Sequence, residues 1–172
     1  MLQVASGSDR NIWAHELGWL IISMNEIDWL ISTAYSTLFG GVWDEKWLAK
    51  TAAERRDILL GEMSKAPKSP ALERLVRLID RVGPLMETRN HIAHGELGVV
   101  GAPVSAPQGS GFVMFRYHKK SKQFCEISLV ELREEVAEAK ALSNDFSEFA
   151  ALCKMNADFV QPYQTDTKGS ES

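Results

Sequence analysis

Apolar residues recur at alternating steps of four and three from Trp13 to Leu38, passing through Leu17, Leu20, Met24, Ile27, Ile31 and Ala34. That spacing keeps one face of an α-helix apolar for about seven turns and does not fit the two-residue period of a strand. A seam this long has to be covered along its whole length, which commits the chain to helix-on-helix packing. Asp9 is placed to cap the start of the helix and Gly40-Gly41 to stop it. Trp19, Ile22, Trp29, Leu30 and Tyr35 fall outside the seam, so the helix is apolar over much of its circumference. Two arrangements satisfy that pattern: a central position in a bundle, or a face shared with a second subunit.

Downstream punctuation divides the rest of the chain. Thr51 and Glu54 have capping-box spacing at the head of "TAAERRDILLGEM", predicting a second helix of about four turns, while the entry segment "VWDEKWLAK" is ambiguous. Ser69-Pro70 opens a third helix that turns Leu72, Leu75, Val76 and Ile79 inward. Gly83-Pro84 is expected to interrupt or kink it, because Pro84 has no backbone N–H to donate. Helix then resumes over "LMETRNHIAH", with Leu85, Met86 and Ile92 packing and Gly95 terminating it. Residues 95–111, rich in Gly, Pro and Ser, read as one long irregular stretch. "FVMFRYH" and "QFCEIS" flank "KKSK" as a short hairpin, and Ser128 with Glu131 caps a final helix striped by Leu132, Val136, Ala139, Phe146, Phe149 and Cys153.

The expected fold is therefore mainly all-α: an antiparallel bundle of four to five helices with a short β-hairpin before the last helix. At 172 residues this suits one domain over residues 1–160, followed by a polar, disordered tail at 161–172. The apolar run "LGWLIISM" falls short of the roughly 20 residues a membrane span needs, and the first residues lack the pattern of a signal peptide. Cys125 and Cys153 are far apart and outside any CxxC grouping, which fits a reducing cytoplasm and argues against a zinc finger.

A net charge of -4 disfavours broad coating of nucleic acid, since each neutralised phosphate needs a Lys or Arg. The charge is uneven, however. "RYHKKSK" gathers Arg116, Lys119, Lys120 and Lys122 without an acid, whereas "ELREEVAE" at 131–138 holds four glutamates against one arginine. The first run is a solvated hairpin turn or a local phosphate contact.

The polar cluster is "TRNHIAHGEL" at 88–97, which spends two of four histidines at the end of an apolar helix. Asn90 and His94 are four apart and share a helix face, whereas Arg89 sits well around the cylinder and must bend toward His94 or toward another subunit. Histidine exchanges protons near neutrality, and arginine presents a planar set of donors matched to phosphate oxygens. Together they are a minimal toolkit for phosphodiester chemistry. The same residues also serve a purely structural reading, in which they cap carbonyls and pair with Glu87 or Glu96. Glu87, His91 and His94 share a face, but the ends of that set are about 10 Å apart along the axis, too far for one metal ion. Phosphate-binding glycine loops and a GxSxG elbow are absent from the sequence.

"RNHIAHG" resembles the signature of HEPN domains: an Arg, a polar residue that is often Asn, and a His at the end of a helix, with four to six residues between Arg and His. The sequence of elements over residues 9–160 is also similar to the layout of that family. The resemblance implies a metal-independent, cofactor-free endoribonuclease of toxin or defence character, active in the cytoplasm as a homodimer whose two signatures meet in one cleft. It implies RNA as substrate, a cognate antitoxin as partner, and no membrane association. Carried onto this chain, His94 acts as general base or acid in 2'-hydroxyl attack, Arg89 stabilises the phosphorane charge, and Asn90 orients the phosphate or the imidazole. His91 is left as a residue lining the cleft, with Arg116, Lys119, Lys120 and Lys122 as weaker substrate contacts. Toxins of the family often carry tyrosine two residues after the histidine; here Glu96 stands there, so nucleotide attachment at that point is not implied. The family also contains members that bind nucleotides or proteins without cutting RNA, which makes a non-catalytic dimeric binding module the alternative.

Overall fold

The seam of the first helix is buried as its spacing requires. In the computed structural model, which describes residues 7–94, 96–101, 112–118 and 123–155 (side chains at 10–90, 92, 127–153 and 155), α1 spans Gly7–Phe39. Trp13, Leu20, Met24, Ile27, Ile31, Ala34 and Leu38 are all buried, and Leu17 is half-buried. The helix begins before Asp9, which lies inside its first turn rather than ahead of it as a cap. α1 ends where expected. Gly40 takes the left-handed conformation at φ 66°, which glycine adopts without a Cβ clash. A Cβ on Gly41 would overlap the Tyr35 ring.

The remaining helices are α2 (Glu45–Leu48), α3 (Ala52–Lys65), α4 (Pro70–His94) and α5 (Leu129–Met155). The fold is thus a mainly helical bundle of five helices, with strands β1 (Glu96–Gly101), β2 (Phe112–His118) and β3 (Gln123–Ser128) between α4 and α5. The expected hairpin is present, with Val113 paired to Ser128 and His118 to Gln123. It belongs to a three-stranded antiparallel sheet in the order β1-β2-β3, because Glu96 pairs with Tyr117 and Gly101 with Phe112. The expectation of irregular chain over 95–111 is therefore corrected at 96–101. Leu97, Val99 and Val100 are strand formers, and the interspersed Gly98 and Gly101 had hidden their alternation. Residues 102–111, the turn at 119–122 and the tail at 161–172 lie outside the described residues.

On α4 one expectation is narrowed and another corrected. The helix is not interrupted at Gly83-Pro84 but runs through Pro84 to His94. Burial of Val82, Leu85 and Met86 on either side offsets the single hydrogen bond that proline removes. Val76 is exposed rather than inward, while Leu72, Leu75 and Ile79 are buried. Steps of three and four from Leu72 to Leu75 and Ile79 define the seam, and Val76 lies beside it.

Contacts within the chain gather into two compact units, one drawn from Met1–Met24 and Pro84–Lys140, the other from Asn25–Gly83 and Ala141–Ser172. In the second unit, Ile27, Ile31 and Leu38 of α1, Leu59 of α3, Leu75 and Ile79 of α4, and Leu142, Phe146 and Phe149 of α5 are almost wholly buried. Cys153 belongs to this apolar interior, and burial pushes its thiol up to about 11 against the opposing influence of Arg74, so it stays protonated. Arg74 pairs with Glu148 and Arg81 with Asp145, an opposite order along the two helices that sets α4 and α5 antiparallel.

The ambiguous segment after Gly41 is a short helix locked onto α1. Asp44 caps it by accepting from the Trp47 N–H at 2.8 Å. Trp47 is buried, stacks on Tyr35 with ring centroids 4.3 Å apart, and donates its indole N–H to Ser32 Oγ at 3.1 Å. Trp43 donates its own to the Ser32 carbonyl at 2.9 Å. From α3, Arg55 reaches Asp28 at 2.7 Å. Tyr35 and the tryptophans outside the α1 seam thus have different fates. Tyr35 is half-buried in this stack, whereas Trp29 remains exposed beside Trp43.

Replacing Ser32 with Ala leaves the buried Trp47 N–H without its acceptor, so we expect a loss of about 1–3 kcal/mol, read from the midpoint of urea unfolding at unchanged slope.

Candidate functional site

The first unit assembles around the end of α4. Trp13, Leu20 and Met24 of α1, Leu85, Met86 and Ile92 of α4, Ile127 of β3, and Leu132, Val136 and Ala139 of α5 form its buried interior. Packing of Leu85, Met86 and Ile92 fixes the rotation of the last turns of α4, and with it the outward direction of Glu87 and Asn90. Arg89 is half-buried and Asn90 exposed.

The guanidinium of Arg89 turns along the helix surface, and its Nη1 donates to Asn90 Oδ1 at 3.1 Å. Asn90 is four residues before His94, so the bond draws the arginine head toward the helix face on which position 94 lies. Arg89 starts well around the cylinder from position 94, and its guanidinium is held on the Asn90 side. The backbone of His91 and His94 belongs to the final turns of α4; their side chains, and that of Arg116, lie outside the described set, as do residues Lys119, Lys120 and Lys122 entirely. Carbonyls at a helix C-terminus carry partial negative charge, which favours cationic groups at this end of α4.

Sequence reasoning missed two residues here. Thr88, only 6% exposed, donates its hydroxyl to Glu135 Oε1 on α5 at 3.0 Å. Glu135 lies three after Leu132 and four before Ala139, at the border of the α5 stripe. That helical spacing could have separated it from its solvated neighbours Glu131 and Glu134. Further around the unit, Arg133 bridges to Glu16 of α1 at 3.1 Å, and Lys140 Nζ lies 4.0 Å from the centroid of the Trp19 ring, a cation–π contact.

The sheet enters α5 through a reciprocal cap. Ser128 N–H donates to Glu131 Oε2 at 2.6 Å, and Glu131 N–H to Ser128 Oγ at 3.1 Å. Hydrogen bonds from the Ser128 backbone and then its side chain hold the Glu131 carboxyl below its ordinary 4.5. Among the described residues, no three His, Cys, Asp or Glu side chains gather where they would hold a metal ion, and no helix is long and apolar enough to cross a membrane.

Comparison with known proteins finds no family model, curated relative or solved structure that matches this chain.

The depressed Glu131 carboxyl gives a pH signature. Its ionised form is favoured by folding, so the cap stabilises fully above the unfolded-state value and fades as pH falls through the lower folded-state value. Glu131→Gln is expected to unfold more easily than wild type at neutral pH. The gap between their thermal midpoints should close in acid, below the ordinary carboxylate range.

Proposed function

We propose that the chain is a metal-independent endoribonuclease, working in the cytoplasm as a homodimer with toxin or defence character and a cognate antitoxin. The observation that carries this reading is the Arg89–Asn90 bond, which draws a permanent cation toward the α4 face holding position 94. In the reaction, the ribose 2'-oxygen attacks the adjacent phosphorus, a 2'-O–P bond forms, and the P–O5' bond breaks. The 2'-hydroxyl proton passes to His94, the departing 5'-oxygen takes a proton from solvent, and the products are a cyclic 2',3'-phosphate and a free 5'-hydroxyl. Arg89 meets the extra negative charge on the phosphorane oxygens, where a preorganised donor is worth more than in water. Asn90 holds the guanidinium by its carbonyl oxygen and has its amide N–H groups left to orient a phosphate.

A second reading, a non-catalytic dimeric module that binds a nucleotide or a protein, is favoured by the apolar residues that α1 leaves uncovered. Trp19, Ile22 and Trp29 are 39%, 48% and 54% exposed, so the central position in a bundle does not account for them.

The two readings separate on purified protein with single-stranded RNA and excess chelator. Cleavage leaving cyclic phosphate ends, lowered about 100-fold or more by Arg89→Ala and by His94→Ala, is the expected result. Identical, uncut RNA from wild type and both variants would leave the binding module.

A further inference from the structure

A second row of large side chains runs along α1 beside the buried seam, and it faces water. Ile12, Trp19, Ile22 and Trp29 are exposed, and the exposed His15 and Glu26 complete the row on one continuous helix. Its steps alternate strictly between three and four, the 3.5-residue period by which one helix lies along another. Ile12, Trp19 and Glu26 hold one position of that repeat, and His15, Ile22 and Trp29 the other. Contacts within the chain touch the row without covering it. Lys140 Nζ lies over the Trp19 ring, His15 meets that ring edge-on, Trp43 meets Trp29 edge-on, and Ser143 donates to Glu26 Oε2.

The row is complementary to its own reverse. In an antiparallel pair of helices, each position of the repeat faces the other position on the neighbouring helix. With two copies of α1 this sets Ile12 against Trp29, Trp19 against Ile22, and the His15 imidazole against the Glu26 carboxylate. Apolar side chains meet apolar ones, and the acid of each copy meets a nitrogen donor. A parallel pair would instead lay Glu26 on Glu26, so charge selects the antiparallel arrangement. The other acids of α1 near this row are engaged within the chain, Glu16 by Arg133 and Asp28 by Arg55.

We propose that this face of α1 is covered by the same face of a second copy, the two helices packing antiparallel about a twofold axis at the level of Leu20 and Ile21. The Trp19–Ile22 layers then lie beside the axis, at the centre of the contact, where desolvated tryptophans contribute most. Because the same patch is used on both copies, assembly closes at two. The inference deepens the homodimer of the reading above by assigning its contact surface, and it depends on none of that reading's chemistry.

Sedimentation equilibrium of the full chain is expected to show a reversible dimer. Ile22→Glu places two carboxylates beside the axis and should raise the dissociation constant about 100-fold or more. Ile22 is exposed, so the variant should keep its helical circular dichroism. Disulfide cross-linking reads the register independently. Positions 12 and 29 of different copies adjoin in this pair, whereas two copies of position 12 lie about 26 Å apart along the axis, far beyond the roughly 7 Å between Cα atoms that a disulfide spans. A mixture of Ile12→Cys and Trp29→Cys chains should therefore form a covalent dimer that neither chain forms alone and that wild type, with its own cysteines, does not form. A monomer at every concentration, a dimer indifferent to Ile22→Glu, or cross-linking that does not require both chains overturns the inference. The expected dimer in a protein that cuts no RNA upholds the interface and removes the ribonuclease reading alone.

Discussion

The uninterrupted seam of α1 is the constraint on which the rest of the structure depends. Each of its buried residues removes apolar surface from water only if another element lies against it, which is why the chain returns along it as a bundle of helices. α1, α4 and α5 are long enough that each contributes to both units, so the same helices serve two hydrophobic interiors. In the second unit the buried serines Ser32 and Ser143 are paired. Ser32 serves two indoles while its hydroxyl bonds to the Asp28 carbonyl, and Ser143 finds Glu26 at 3.0 Å. Pairing of this kind spares the bundle the cost of buried, unsatisfied donors.

Much of this was legible from residue spacing because helical seams and caps are local properties. The α5 stripe from Leu132 to Cys153 is buried at every position read from the sequence, and the Thr51–Glu54 and Ser128–Glu131 caps form as written. What escaped was decided by partners distant in sequence. β1 is a strand because β2 pairs with it, despite two glycines that blur its pattern. Proline at position 84 is a strong local signal to stop, yet packing of the residues around it keeps α4 continuous. Asp9 sits in a reasonable capping context, but the helix had already begun at Gly7.

The candidate site shows the same division. Arg89, Asn90, His91 and His94 could be singled out because their types and spacing are unusual in so apolar a helix. The direction in which Arg89 bends could not, since it depends on side-chain torsions and on an acceptor one residue away. Thr88 and Glu135 were harder still. Neither residue type attracts notice alone, and their relation spans 47 positions of chain. A neutral hydroxyl donating to a carboxylate is a modest interaction in stability, but it ties α4 to α5 directly beside the arginine.

Ser128 has two structural duties at once: it is the last residue of β3 and the cap of α5, with no connecting residue between strand and helix. A joint without slack transmits torque. Any twist imposed on the sheet's third strand arrives directly at the first turn of α5, and from there, seven residues on, at the carboxylate that grips α4. The sheet is thus a lever arm on the end of α4 rather than an ornament beside it.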